Sequence, residues 1–406
     1  MTYLIAGGGP GAVHAARAIR ARDRRGRILM VCPEGARPYS RITVPEYLIG
    51  EVEEPDIYFV PEDFARELCV ELLAGRRVAG LDPQRHTARL DDGREIRYDR
   101  LLLATGSHPL LPSWADLSLP GVHLLWDKAD AERLAGKVSP GRRAVIVGGG
   151  LVGMQAARAL HAHGLEVTVV ELAQRLMPLQ LDEAAALMLR NAASAAGVRV
   201  VLGESVEALT PGEGRVAGVT LAGGQTLPAD LVIVSIGVRP NLSMLDSLDI
   251  PHERGIEVDE ALRTAIPDVW AAGDVAIAPA FLSAQKANRA LWLNAVRQGE
   301  AAGASMAGEI TAYEGAQSMN SIQLFGLGIA SMGEITAAEG MREIVLTPPL
   351  AGSYRKLVLD GDGCLRGAVL AGEIQDAGVL FHKIGAPVGQ GFLRQLPPAD
   401  VECMRV

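Results

Sequence analysis

Two stretches of the chain show the same change of pattern, from a run of apolar positions to small residues and then to helical spacing. "YLIAGGGPGAVHAARAIRA" (3–21) opens with a short apolar run, turns on glycines and continues as an alanine-rich segment. That order predicts a buried strand, a tight turn and a helix packed closely on the strand. "RRAVIVGGGLVGMQAARALHAHGLEVTVVE" (142–171) repeats the order about 140 residues later. Each copy leads into a second apolar strand, "RILMVCPE" (27–34) in the first and Glu166 to Val170 in the second. Three further segments read as strand or turn, "YDRLLLATGS" (98–107), "LVIVSIGVRPN" (231–241) and "TAIPDVWAAGDVA" (264–276), and "LWLNAVRQGEAAGASMAG" (291–308) reads as a helix. Beyond residue 318, "SMNSIQLFGLGIASMGE" and "YRKLVLDGDGCLRGAVLAGE" read as short strands around a turn at Asp360–Gly363, with "IQDAGVLFHKIG" as a helix packed on them.

Composition narrows the class. The 406 residues suffice for two or three domains, and 49% apolar with 21% charged residues is ordinary for a water-soluble globular chain. Forty-six glycines with only 4% aromatics suit α/β domains, which need tight strand-to-helix turns. A net charge of −9 argues against nucleic acid as a partner, because phosphate binding needs a basic face. The basic cluster "RARDRRGR" (20–27) reads as the solvated end of a surface helix, with a docking patch for an acidic redox partner as the other reading. Cys32, Cys69, Cys364 and Cys403 form no C-x-x-C pair, which leaves no metal site in the pattern and fits a reducing compartment. A core strand beginning at Tyr3 and the lack of a membrane-length apolar run give the expectation of a cytoplasmic protein with no membrane partner.

The glycine spacing carries the chemistry. Gly7, Gly9 and Ala12, with Pro10 and Gly11 between them, fit G-x-G-x-x-G/A; Gly148, Gly150 and Gly153, with Leu151 and Val152, match it fully. The first glycine permits the turn, the second lets backbone N–H groups approach a pyrophosphate, and the third small residue lets helix and strand pack. An acid at the end of the next strand accepts hydrogen bonds from a ribose. Glu34 is the candidate in the first copy, although Cys32 and Pro33 displace it from the strand tip. In the second copy the candidate is Glu171, 18 residues past Gly153, and its charge predicts NADH over NADPH. Two such sites suggest two dinucleotides, FAD and NAD(H).

With these motifs in this order, the sequence resembles the FAD-dependent pyridine nucleotide–disulfide oxidoreductase family over nearly the whole chain. The resemblance implies an α/β fold of two Rossmann-like dinucleotide-binding domains and a small α+β C-terminal domain. It implies a discontinuous FAD domain (1–118 and 242–317), an NAD domain (119–241) and a C-terminal interface domain (318–406). It further implies that Ala104, Thr105 and Gly106, and Gly237, lie where the chain crosses between the first two domains. Gly273 and Asp274 would belong to the second FAD signature, with Asp274 on the ribityl or pyrophosphate region. Asn294 and Ala295 would lie at the helix end nearest the flavin ring. The implied reaction is hydride transfer from NADH to flavin N5.

The second half-reaction turns on "PYSRITVPEYLIGE" (38–51), where thiol-dependent relatives carry a reactive cysteine and this chain has none. The segment resembles "PY-x-R", with Arg41, of the branch that reduces external one-electron carriers: rubredoxin or ferredoxin reductases and the FAD portion of assimilatory nitrite reductases. Many of that branch have a lysine near N5 paired with a glutamate just past the NAD motif. Here those positions align with Glu46 and Gln155, an exchange that predicts the two side chains facing one another and a flavin whose reduced anionic form is disfavoured. The leading expectation is electron exchange with a separate electron-carrier protein or iron–sulfur subunit, the chain itself forming a homodimer or part of a larger redox complex. A stand-alone NADH oxidase and a non-catalytic FAD/NADH-sensing flavoprotein are the alternatives.

Overall fold

The computed structural model describes residues 1–248, 254–310, 312–346, 352–393 and 396. Cys403 and most of the chain past Leu393 therefore lie outside the described residues. The chain divides into two compact units. The first gathers Met1–Arg41, Glu53–His108 and Val238–Gln317; the second gathers Ile42–Val52, Pro109–Gly237 and Ser318–Val406. The helices that bear on function are, in chain order, α1 (Pro10–Arg22), α2 (Val44–Leu48), α3 (Leu151–Ala162), α4 (Glu183–Ala195) and α5 (Trp292–Met306).

At the heart of the first unit is a five-stranded sheet, ordered Val269–Ala271, Arg100–Leu103, Thr2–Ala6, Arg27–Cys32, Val70–Ala74, every pairing parallel. Leu4, Ile5, Ile28, Met30, Leu101, Leu102 and Leu103 are fully buried, as expected of strands covered on both faces. Helix α5 lies against α1 at glycines. A Cβ on Gly299 would stand 2.2 Å from the Gly11 carbonyl oxygen, and one on Gly303 would stand 2.5 Å from that of Ala15. The two backbones therefore touch, and no larger residue fits between them. A three-stranded antiparallel sheet (Val78–Asp82, Thr87–Leu90, Glu95–Arg97) interrupts the parallel order.

The second unit repeats this plan. Its parallel sheet runs Arg199–Leu202, Glu166–Glu171, Arg143–Val147, Leu231–Val234, Val122–His123, again with the strand that enters the glycine turn in the middle. Another antiparallel three-stranded sheet (Val206–Gly212, Arg215–Leu221, Thr226–Pro228) follows. Past residue 318 comes an antiparallel five-stranded sheet ordered Met319–Leu324, Leu327–Gly333, Leu365–Gly372, Tyr354–Leu359, Arg342–Leu346, with the helix Ala377–Lys383 packed on it. Buried Lys356 ties this sheet to α4. Its Nζ lies 2.8 Å from Asp182 Oδ2 and 3.1 Å from Glu343 Oε1. Asp182 is also the N-cap of α4, accepting from the Ala185 N–H, and takes a 2.7 Å hydrogen bond from the Tyr354 hydroxyl.

One local expectation fails. "EDFARELCVELL" reads as a single helical stretch, but the helix covers only Phe64–Glu67 and a strand starts at Val70. Cys69 sits in the turn between them with φ +48°, because Val70–Ala74 supplies the edge partner of the strand Arg27–Cys32. Sheet pairing overrides a weak helical pattern.

Candidate functional site

In both glycine turns the first glycine is required by the chain itself. Gly7 has φ +141° and a Cβ there would stand 2.0 Å from the Ala104 carbonyl oxygen; Gly148 has φ +105° and a Cβ 2.3 Å from that of Ser235. Gly153 is required as strictly, its Cβ falling 1.9 Å from the Gly148 carbonyl oxygen. The middle glycines differ. Gly9 and Gly150 are the N-caps of α1 and α3, with extended backbone (φ −79°, ψ −176° and φ −75°, ψ −173°) that any residue adopts. A Cβ on either would meet nothing within 4 Å. Neither strain nor packing inside the chain demands glycine at these two positions. What a side chain would block is the open approach to a helix N-terminus, where N–H groups point outward and favour an anion. The residues therefore fit two dinucleotides, with pyrophosphates at the Gly9 and Gly150 ends.

Around the first turn, Pro10 opens α1, Gly11 meets α5, and Ala12 is wholly buried. Glu34 lies past the end of its strand, and its carboxylate accepts hydrogen bonds from the Tyr39 hydroxyl and the Arg41 guanidinium. Glu34 and Arg41, singled out separately in the sequence, thus form one ion pair. Cys32 is buried beneath the turn and directs its thiol 3.6 Å from the Gly7 carbonyl oxygen. Burial, and secondarily the Glu34 charge, push that thiol up to about 12, so it stays protonated and offers no thiolate near neutrality.

The remaining residues of the first unit divide between turns and internal braces. Ala104 continues the parallel ladder through its N–H to the Ala6 carbonyl, and Gly106 turns with φ +68°. The Thr105 hydroxyl donates to the Asn241 carbonyl, and Asn241 Nδ2 returns a 2.8 Å bond to the Thr105 carbonyl, locking the two chain passages together. Gly273 turns with φ +80° and donates its N–H to Gln298 Oε1 at 2.8 Å. Asp274 accepts from the Ser107 hydroxyl at 2.7 Å, and its carbonyl accepts from Asn288 Nδ2. Ala295 is buried in the first turn of α5. Asn294 is a brace: Nδ2 donates to the carbonyls of Arg289 and Gln317, and Oδ1 accepts from the Gln317 N–H. Both Nδ2 hydrogens and one Oδ1 lone pair are thus engaged inside the chain, and the second Oδ1 lone pair is left. Ser107, Asn241, Asn288 and Gln298 are the residues that sequence reasoning passed over. Of these, only Gln298, a polar residue on the alanine- and glycine-lined face of a helix, carried a readable signal.

In the second unit, Leu151 and Val152 form the half-buried first turn of α3. Gly237 turns with φ +113° and accepts from the Leu110 N–H. Glu171 ends its strand, as expected, and is drawn under the glycine turn: Oε2 accepts from the Gly149 N–H at 2.6 Å and Oε1 from the Ala173 N–H at 2.7 Å. Each carboxylate oxygen keeps a second lone pair. Glu46 takes a partner other than the expected Gln155. Its Oε1 lies 3.1 Å from Arg158 Nη2, three residues further along α3 and on a neighbouring part of the same face. A cation outcompetes an amide for a carboxylate, so Glu46 is a charge-compensated residue, and an uncompensated acid lowering the flavin potential is not what the geometry offers.

The basic cluster at 20–27 is largely committed. Arg20 binds the carbonyls of Leu68, Cys69, Asp23 and Gly26, Arg22 pairs with Glu309, and Arg27 with Glu71. No group of three His, Cys, Asp or Glu side chains among the described residues could hold a metal ion. No helix among them is long and apolar enough to cross a membrane.

Comparison with known proteins adds the following. Residues 1–299 match the pyridine nucleotide-disulphide oxidoreductase model, and residues 319–384 match the rubredoxin NAD+ reductase C-terminal domain. The chain is 35% identical over 384 residues to the NADH-dependent phenylglyoxylate dehydrogenase subunit epsilon of Aromatoleum evansii, covering 94% of this chain and 91% of that one. It is 33% identical over 391 residues to the ferredoxin–NAD(+) reductase component of the biphenyl dioxygenase system of Paraburkholderia xenovorans (strain LB400), covering 95% and 94%. Among solved structures it is similar to the ferredoxin reductase for the CYP199A2 system from Rhodopseudomonas palustris, at 28% identity and a TM-score of 0.87, covering 96% and 98%.

Proposed function

Since the chain belongs to the pyridine nucleotide-disulphide oxidoreductase family and is an FAD-dependent NAD(P)H oxidoreductase, we propose that it passes electrons between NAD(H) and a separate one-electron carrier protein, a ferredoxin, a rubredoxin or an iron–sulfur subunit. The observation that carries this reading is the pair of middle glycines. Gly9 and Gly150 are unexplained by the chain and explained by a pyrophosphate at each helix end. Neither Cys32 nor Cys69 offers a thiol relay, which points outward for the second half-reaction. Cys32 is buried and protonated, Cys69 lies in a distant turn, and the segment 38–51 holds no cysteine. The C-terminal match to a rubredoxin reductase domain, and a relative that serves a ferredoxin, support a protein acceptor.

Bound FAD supplies the conversion between a two-electron hydride donor and a one-electron acceptor. The chain supplies binding and orientation. The open ends of α1 and α3 receive the two pyrophosphates, and Asp274, fixed by Ser107, takes the ribityl or pyrophosphate side of FAD. Glu171 presents its remaining lone pairs to the adenosine ribose of NADH and opposes a 2′-phosphate. Three free cysteines among the described residues suit a reducing interior, and we place the reaction in the cytoplasm.

The deciding experiment is anaerobic mixing with NADH, followed by addition of oxidised ferredoxin or rubredoxin. Bleaching of the flavin and reduction of the carrier are expected. A flavin that NADH does not bleach refutes the enzymatic reading. Rapid NADH consumption in air with no effect of a carrier supports an oxidase instead.

A further inference from the structure

Glu171 ends its strand and Asp182 caps α4, and the loop 172–181 between them is built on the second glycine turn. Gly149 is bonded to this stretch on both sides. Its N–H donates to Glu171 Oε2 at 2.6 Å, and its carbonyl accepts from the Met177 N–H at 2.9 Å. Leu176, Met177 and Leu181 are fully buried, and a Cβ on Gly149 would stand 2.7 Å from Leu176 Cδ2, so loop and turn are in contact. Arg175 closes the loop on itself, donating through Nε to the Leu181 carbonyl at 3.1 Å and through Nη2 to that of Pro178 at 3.2 Å. The far end is held from the C-terminal sheet. Asp182 Oδ2 accepts from the Tyr354 hydroxyl at 2.7 Å and lies 2.8 Å from Lys356 Nζ, both residues standing on the strand Tyr354–Leu359. All of these contacts lie within the second unit.

We propose that Tyr354 and Lys356 are positioning residues for the pyridine nucleotide: by fixing Asp182 they hold the loop 172–181 on the second glycine turn, so the C-terminal sheet sets how that turn takes the ADP half of NADH. This inference rests on the function proposed above, which puts a dinucleotide at Gly150. Two groups that would meet the ligand depend on the loop. The Glu171 carboxylate is aimed by the N–H groups of Gly149 and Ala173, and Ala173 is itself a loop residue. The Gly150 N–H shares one planar peptide with the Gly149 carbonyl and points the opposite way, so the bond from Met177 to that carbonyl aims it. A recognition group held by a supporting shell loses discrimination when the shell loosens. Lys356 is suited to keep the shell in place, because its buried ammonium would be stranded without Asp182 and Glu343.

The test titrates ADP-ribose, which keeps the pyrophosphate and the adenosine but lacks nicotinamide, and its 2′-phosphate into the FAD-loaded protein by calorimetry. Tyr354→Phe removes one bond to Asp182 and keeps the ring. Asp182→Asn/Lys356→Met removes both charges together, while asparagine still caps α4. ADP-ribose should bind about threefold more weakly to Tyr354→Phe and about tenfold or more weakly to the double variant. The preference for ADP-ribose over its 2′-phosphate should fall in the same order, because the Glu171 carboxylate is no longer held in place. A general loss of folded protein would instead lower the number of sites and leave that preference as it was. Amide exchange at Ala173 and Met177 should rise in both variants, with FAD content unchanged. Wild-type affinity and preference in both variants overturn the proposal, as does a fall in affinity that spares the preference. Should the double variant not fold, Tyr354→Phe decides alone. If the wild-type holoenzyme binds no ADP-ribose, the proposed function fails instead, and exchange at Ala173 and Met177 still decides whether the sheet holds the loop.

Discussion

At the first glycine turn the neighbouring acid, Glu34, sits beyond its strand and is held by the side chains of Tyr39 and Arg41. At the second, Glu171 closes its strand and is held by the backbone N–H groups of Gly149 and Ala173. The third small residue differs in the same sense. Ala12 fits under the first turn, whereas at Gly153 even a methyl group would strike the Gly148 carbonyl. The second turn is drawn tight by its own backbone, and the first is left looser and stabilised by side chains from the following segment. One motif therefore makes two sites of different stiffness. The tight one holds its carboxylate by backbone N–H groups, with no arginine in those bonds; the loose one has its carboxylate paired with arginine.

The strongest way to break this comparison is to exchange the third residues. Gly153→Ala should cost about 3 kcal/mol or more, read as a fall in Tm of roughly 5–10 °C or as loss of soluble protein. Ala12→Gly should cost about 1 kcal/mol, the ordinary penalty of glycine in a helix. Equal losses would erase the difference in tightness. Next come the middle glycines, where stability should hold within about 0.5 kcal/mol while binding fails selectively. Gly9→Ala should strip FAD and spare NADH affinity. Gly150→Ala should keep FAD and weaken NADH at least tenfold, about 1.4 kcal/mol by isothermal titration.

The repeated turn was readable in the sequence because its spacing reflects local requirements, a positive φ and an open helix end, although the carbonyls that crowd Gly7 and Gly148 come from Ala104 and Ser235. The strands quoted around it are present, down to Cys32 closing its strand one residue before Pro33. What escaped is set by partners distant in the chain. The two antiparallel excursions at 78–97 and 206–228 carry no motif, and Cys69 marks a strand start that only sheet pairing explains. Arg158 is an arginine on a helix face until the segment 42–52 arrives to use it, which is why Gln155 looked the better partner for Glu46. The bracing contacts of Asn294 with Arg289 and Gln317 were hidden for the same reason, since they depend on a loop that the motif does not include.

Smaller effects sharpen the contrast further. Glu171→Gln should raise the ratio of NADPH to NADH rates about tenfold, while Glu34→Gln leaves that ratio unchanged, since Glu34 lies at the other glycine turn and is already paired with Arg41. The smallest effect concerns acid. The first parallel sheet contains no histidine, but the second ends in buried His123, whose burial, together with the nearby Lys137 charge, lowers its proton affinity from an ordinary value of 6.5 to about 4. As pH falls from 6.5 towards 4, the unfolded chain binds this proton and the folded one does not, so the second unit should lose stability across that window. Urea unfolding at pH 7 and pH 5 should show the decline, and His123→Gln should flatten it.

Lys356 bears on how such proteins can be recombined. A buried ammonium shared by Asp182 of the α4 cap and Glu343 of the C-terminal sheet works as a lock whose two halves are encoded about 170 residues apart. A C-terminal sheet grafted onto a nucleotide-binding domain lacking an acid at the position of Asp182 would carry a buried cation with half its counter-charge. Modular exchange at this junction, in evolution or in the laboratory, is open only to donors and recipients that already share the acid.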